Sequence, residues 1–286
     1  MTGRGVGLGK IILCGEHAVV YGHPALAMAI NLHTEVRLQA IEGPSKVRAE
    51  VDERLSEALS LVIPPLGVEI SIHSTIPIGR GMGSSAALAV ALVRAQAQAA
   101  GEASLSPKVV FERAMPIECV FHGDPSGLDV AVSARGGVLR YLRATPPVIE
   151  PIGHPPAGDI VVLDTGLTGN TAQLVAGVRA RRPAIDPLLD RIGALTSAAI
   201  DNLYNPRVLG ELLTENHRLL QHIGVSTPEL DRLVDLAMQH GAFGAKLAGA
   251  GGGGIAIALT NQPDRLLEAA ASRGIQAIRC VGAPRE

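Results

Sequence analysis

Three alternate glycines, Gly79, Gly81 and Gly83, stand between an alternating strand and an alanine-rich helix, and no other stretch constrains the fold as tightly. The segment over 66–100 reads LGVEISIHSTIPIGRGMGSSAALAVALVRAQAQAA. Val68, Ile70 and Ile72 alternate with Glu69, Ser71 and His73, which is the period of a half-buried strand. Pro77 ends that strand. The glycines then let the backbone turn sharply and come close to a ligand. Ser84 and Ser85 open the helix, and serine is a favoured N-terminal cap. Free N–H groups and the positive end of the helix dipole favour an anion there. The spacing therefore predicts a phosphorylated ligand on Gly79–Ser85.

Two familiar phosphate motifs do not fit. No Lys-Ser/Thr pair follows the last glycine, so the segment is not a P-loop. The glycine spacing, G-x-G-x-G, is not that of the dinucleotide-binding fingerprint, which argues against an oxidoreductase. The hydroxyls at the helix start suit Mg²⁺ bridging nucleotide phosphates. Composition excludes other classes. Aromatic residues make up 2% and Trp is absent, which argues against base-stacking platforms for single-stranded nucleic acid. A net charge of −2 gives no footprint for a polyanion. The basic cluster Arg179, Arg181 and Arg182 reads as a solvated helix face. Charges such as Arg94 interrupt the apolar runs, and no segment has the layout of a signal peptide, so a cytoplasmic protein is expected. Cys14, Cys119 and Cys280 have no metal-site spacing and read as buried free thiols in a reducing compartment.

Along the 286 residues the first half is strand-rich. Lys10–Cys14 is an apolar strand, followed by a turn at Gly15-Glu16-His17. Pro24–Ile30 is a short apolar segment compatible with helix, and Thr34–Ile41 alternates. A helical stretch over 52–62 meets a break at Pro64-Pro65. Ser106-Pro107 opens a helix that Pro116 should kink or interrupt. Gly136–Leu142 reads as a strand. The Pro- and Gly-rich stretch 144–158 is the best linker candidate, which divides the chain into 1–150 and 151–286. Asp159–Asp164 is a buried strand, helices dominate 171–241, and a glycine cluster fills 244–254. A strand over 254–259, a helix over 263–273 and a strand over 275–281 complete the pattern. The mixture predicts two α+β units.

Three further segments carry chemistry. Glu118 and Asp129 flank the tight turn in HGDPSGLD; one carboxylate could hold a metal while the other accepts a proton from an alcohol. Lys10 opens the first apolar strand ahead of GEHAVVYG. Gly251–Gly254 follows Gly249-Ala250 between apolar strands, which suits close approach to a ligand or to another loop.

Together, GKIILCGEHAVVYGHPALA, PIGRGMGSSAA, Glu118 with HGDPSGLD, and KLAGAGGGG resemble the GHMP kinases, in the order that family carries them, over residues 10–259. Within that family the first and third segments, with TGLTGNTAQLV and the helix NHRLLQHIGVSTPELDRLV, most resemble the mevalonate kinase branch. Two departures stand out: Val130 follows Asp129 where that branch usually has Asn, and the chain is short. The resemblance implies a two-domain α+β fold, with an N-terminal domain like domain 2 of ribosomal protein S5 and a ferredoxin-like C-terminal domain. It implies ATP and Mg²⁺ as cofactors and mevalonate as acceptor, phosphorylated at its primary alcohol on the route to isoprenoids. Phosphomevalonate, homoserine and sugar kinases share the fold and are the alternatives, with a catalytically silent ATP sensor behind them. Carried over by position, Pro77, Gly79, Gly81, Met82, Gly83, Ser84, Ser85 and Ala86 hold ATP, and Ser85 and Glu118 hold the metal. Asp129 is the base, with Lys10 beside it and the γ-phosphate. Glu16, His17, Thr171, Ala250 and Gly251 lie on the substrate side. No nucleic acid or membrane partner is implied, and a homodimer is allowed.

Overall fold

A computed structural model of the chain describes residues 2–64, 66–102 and 104–284. The first sheet is built around a long strand. Thr2–Cys14 (β1) runs antiparallel along one side of Ala25–Pro44 (β2). On the other side of β2, Leu66–Ser74 (β4) and Val138–Leu142 (β5) pair with successive stretches of it. Lys46–Arg48 (β3) and Val148–Gly153 (β6) close the two ends. Four helices accompany this sheet: Glu53–Ser60 (α1), Ser84–Ala99 (α2), Pro107–His122 (α3) and Leu128–Arg135 (α4).

Contact between β1 and α2 is close for a steric reason. Gly3, Gly5 and Gly7 share one face of β1, since successive strand residues alternate sides. A Cβ built on them would lie 2.1, 2.0 and 1.9 Å from the carbonyl oxygens of Ala95, Ala91 and Ala87. Those alanines recur every fourth residue, along one side of the helix. Only this glycine–alanine match lets α2 lie on β1, which sets the place of the glycine loop at its N-terminus.

The second sheet contains Asp159–Asp164 (β7), Gly244–Ala248 (β8), Ile255–Thr260 (β9) and Ala277–Cys280 (β10), in the order β10-β7-β9-β8 and antiparallel throughout. Between β7 and β8 come Thr171–Ala180 (α5), Asp186–Asp201 (α6), Pro206–His222 (α7) and Pro228–Gln239 (α8); Pro263–Ala271 (α9) links β9 to β10. Strand order and crossovers together are the ferredoxin-like arrangement. The two sheets share one apolar core, in which Leu13, Met28 and Val138 meet Ile160, Ile255 and Leu209. After β10 the chain returns to the first sheet, where Ala283 N donates to Ala29 O at 2.9 Å.

Several expectations need correction. Pro24–Ile30 is not helical: its residues are buried on both faces between β1 and β5, and the backbone pairs with both. The first strand begins at Thr2 rather than Lys10, because its glycines mask the alternation. Pro116 neither ends nor interrupts α3. It stands exposed, as does Glu112, whose carbonyl loses its helical partner and can meet water instead. The linker candidate 144–158 contains β6, so the first sheet reaches Gly153. The first five residues of the 244–254 glycine cluster are strand. Cys119 is exposed, unlike Cys14 and Cys280. Pro65 of the expected break lies outside the described residues. Among the described residues, no helix is long and apolar enough to cross a membrane.

Candidate active site

The glycine loop begins where β4 ends and finishes at the start of α2. Gly79, Gly81 and Gly83 have φ of 72, 78 and 75°, a region that side-chain-bearing residues rarely enter. Gly83 is the cap of α2, and no side chain caps this helix, so the expected serine cap does not form. The first helical bond runs from Ala87 N to Gly83 O. The amides of Ser84, Ser85 and Ala86 therefore have no intrahelical acceptor and face the loop side of the helix. A side chain at Gly83 would strike Lys10, whose Cγ is 2.9 Å from the built Cβ. Pro77 is exposed at the loop entrance, while the Met82 side chain is buried in the core and its carbonyl accepts from Lys10 N at 3.0 Å.

Lys10 ties the loop to the first carboxylate. Its Nζ donates to Gly81 O at 3.0 Å and lies 3.1 Å from Asp129 Oδ2. Lys10 is 3% exposed and the Asp129 side chain 31%, so the ammonium is fixed inside the protein while the carboxylate remains within reach of a ligand. Asp129 is the second residue of α4. The preceding turn is held by Ser126, whose hydroxyl accepts from Leu128 N and whose carbonyl accepts from the Tyr141 hydroxyl.

Ser85 faces the second carboxylate. Its hydroxyl donates to Glu118 Oε1 at 3.1 Å, and His122 Nε2 is 3.1 Å away on the other side. Glu118 is 2% exposed and its Oε2 is buried without a partner. Burial, reinforced by the Asp129 charge, pushes the Glu118 carboxyl up to about 8. An orphaned carboxylate oxygen next to the Ser85 hydroxyl is a donor set suited to a hard cation, and Mg²⁺ takes few protein ligands, leaving the rest to phosphates and water. Among the described residues no three His, Cys, Asp or Glu side chains form a metal cluster. His122 was visible in the sequence, one helical turn after Glu118, but its spacing alone carried no chemical role.

Of the remaining residues, Glu16, His17 and Ala250 lie where the two halves meet. His17 has φ 61°, a strained value for a residue with a side chain, and its ring nitrogen Nε2 is 2.9 Å from Ala250 O. Burial lowers the His17 pKa, so the neutral ring donates Nε2–H to that carbonyl. Glu16 is 2% exposed and is paired with Lys246, which is 0% exposed, so its carboxylate faces the second half rather than open space. Gly251 lies against Val225, where a Cβ would come within 2.1 Å of the carbonyl oxygen. Gly169 packs on Gly251, and Thr171 stands exposed two residues further on, at the start of α5. Arg80 in the glycine loop and Lys246 in β8 had no sequence signal: a single basic residue among glycines or apolar residues looks like any other.

Both halves of the chain have known relatives. A family model described as the GHMP kinases N terminal domain matches residues 46–137, and one described as GHMP kinases C terminal matches 199–276. The chain is 38% identical to the mevalonate kinase of Pyrococcus horikoshii, over 91% of this chain and 89% of that protein. It is 37% identical to the mevalonate kinase of Methanothermobacter thermautotrophicus, over 87% of each. Among solved structures, L. major mevalonate kinase in complex with R-mevalonate matches with a TM-score of 0.86 and 30% identity, covering 100% of this chain and 98% of that one. The mevalonate kinase of Methanococcus jannaschii matches with a TM-score of 0.84 and 26% identity, over 99% and 98% of the two chains.

Proposed function

The chain belongs to the GHMP kinases, and from that membership we propose that it transfers the γ-phosphoryl group of ATP to the C5 hydroxyl of (R)-mevalonate, giving 5-phosphomevalonate and ADP. Relatives named mevalonate kinase, similar over about nine-tenths of the chain, support this acceptor. The single observation that carries the chemistry is the Lys10–Asp129 pair, 3.1 Å apart at the mouth of the glycine loop. Phosphoryl transfer requires an aligned alcohol and positive charge near the transferring group. In this reading Asp129 accepts the hydroxyl proton as the oxygen attacks phosphorus. Lys10 holds its charge beside the forming bond and, through Gly81 O, keeps the loop in register with the base. The amides of Ser84, Ser85 and Ala86 and the backbone of 77–83 cradle the phosphates, and the Ser84 hydroxyl adds a donor. Bound Mg²⁺ would neutralise phosphate charge, held by Ser85 Oγ and Glu118.

On the acceptor side, His17, Thr171, Ala250 and Gly251 hold the small hydroxy acid, with Glu16 behind His17. The first unit, 1–150, carries the phosphate loop and the base, and 151–286 closes over the acceptor. The reading places the reaction in the cytoplasm, between two small molecules, with a homodimer allowed and neither nucleic acid nor membrane required. Retention of the Lys10–Asp129 pair speaks against a silent ATP sensor, which would have no use for it. The test is to incubate the protein with ATP, Mg²⁺ and (R)-mevalonate and to locate the new phosphate by phosphorus NMR. A phosphate on the C5 oxygen, with ADP in equal amount, is the expected product. ATP consumed without phosphorylated mevalonate, or no consumption, overturns the proposal.

A further inference from the structure

We propose that Arg80 is a positioning residue for the nucleotide: by its ion pair with Asp164 it fastens the glycine loop to the second sheet and presets the loop for phosphate. Arg80 occupies the variable place between Gly79 and Gly81. Its Nε lies 3.0 Å from Asp164 Oδ2, and both side chains are largely shielded from water. Asp164 ends β7 and is itself held, since its Oδ1 accepts from Gly166 N at 2.8 Å. The next residue, Thr165, bonds Gly254 O through both its backbone N–H and its hydroxyl. A Cβ on Gly254 would lie 3.5 Å from Arg80 O, and one on Gly81 would lie 3.5 Å from Ala248 O. The glycine loop therefore packs on the 249–254 loop, with Asp164–Gly166 beside them.

The physical need is plain. Three glycines within five residues make a segment with much backbone freedom to lose, and a ligand that must order it binds more weakly. Two adjacent residues oppose that loss. The first sheet grips Gly81 through Lys10, and the second grips Arg80 through Asp164. Together they hold the loop from both halves of the molecule. The guanidinium is held through Nε by Asp164, while its Nη1 is buried without a hydrogen-bond partner.

This inference rests on reading 77–85 as the nucleotide loop, and the experiment separates the two. ADP affinity is measured by calorimetry, and the KM for ATP, the KM for mevalonate and kcat by steady-state kinetics. The proteins compared are the parent, Arg80→Ala, Arg80→Lys, Asp164→Asn and the double variant Arg80→Ala/Asp164→Asn. Asp164→Asn is isosteric and keeps the oxygen that accepts from Gly166, so it folds even if Arg80→Ala does not. Arg80→Ala and Asp164→Asn should each weaken ADP binding and raise the KM for ATP by about tenfold, with the double variant no worse than either single. The KM for mevalonate should stay within about twofold, since the acceptor side is untouched. Arg80→Lys should recover part of the affinity, because it keeps the charge but not the planar fork. Unchanged nucleotide affinity in the single variants, additive effects in the double, or weakening by Arg80→Ala alone would overturn the proposal. A parent that binds no ADP would overturn the nucleotide-loop reading itself.

Discussion

Lys10 shows how one side chain can serve two ends at once. Its ammonium meets Asp129 and Gly81 O, and its stem fills the space that forbids a side chain at Gly83. Lys10→Met keeps the stem and removes the charge. Turnover with mevalonate should fall by about 100-fold while the thermal melt moves little, and near-parent turnover would remove Lys10 from the mechanism. Asp129→Asn removes the proposed proton acceptor without changing shape, and its kcat should fall by about 100-fold or more. A different residue-scale property follows from burial. It pushes the Cys14 and Cys280 thiols up to about 12, so both remain protonated and unreactive at pH 8, whereas Cys119 is exposed. A disulfide reagent at pH 8 should titrate one thiol rapidly in the folded protein and all three in urea; three fast thiols would contradict the buried positions. At this scale Lys10, Glu118 and Asp129 stand out in the sequence through the motifs that resemble the family, and the structure brings Lys10 to Asp129. Arg80 and Lys246 do not stand out, because their importance comes from partners more than eighty residues away.

Among the elements, α2 is the one whose placement decides the site. Its amides face the loop, and its position depends on Gly3, Gly5 and Gly7. Gly5→Ala would drive a methyl group into the Ala91 carbonyl oxygen, and backbone cannot move aside cheaply. The substitution should cost about 1–3 kcal/mol in urea unfolding and weaken ADP binding as α2 shifts. Gly177→Ala is the control. Gly177 lies inside α5 with nothing within 4 Å of the added methyl group, so the change should gain about 0.4–1 kcal/mol. Equal effects at the two positions would contradict the packing argument. The sequence did reveal α2, β4 and the order of the glycine loops, because period and turn chemistry are local. It concealed the reach of β1, since alternating glycines carry no apolar signal, and it left open whether α3 continues past Pro116, which the exposed position allows.

At the scale of the whole molecule, the two halves are joined by apolar core, by the Glu16–Lys246 pair and by His17 on Ala250. The ion pair is fully buried, so deleting one partner leaves an uncompensated charge. Lys246→Met should cost about 3–5 kcal/mol in urea unfolding, and Glu16→Gln combined with it should recover part of that loss; a Lys246→Met protein as stable as the parent would refute the coupling. The two-unit α+β organisation could be read from sequence, but the interface could not. Its contacts join residues 230 positions apart, beyond any local pattern. In the proposed function that interface also forms the acceptor side of the site, so acceptor choice is the property that tests the assembled molecule. The most direct measurement is kcat/KM for ADP release with ATP and Mg²⁺ against (R)-mevalonate, phosphomevalonate, homoserine and galactose. The account predicts saturable turnover with mevalonate at least about 100-fold above each of the others. Equal or faster turnover with any of the other three, or no response to mevalonate, would contradict it.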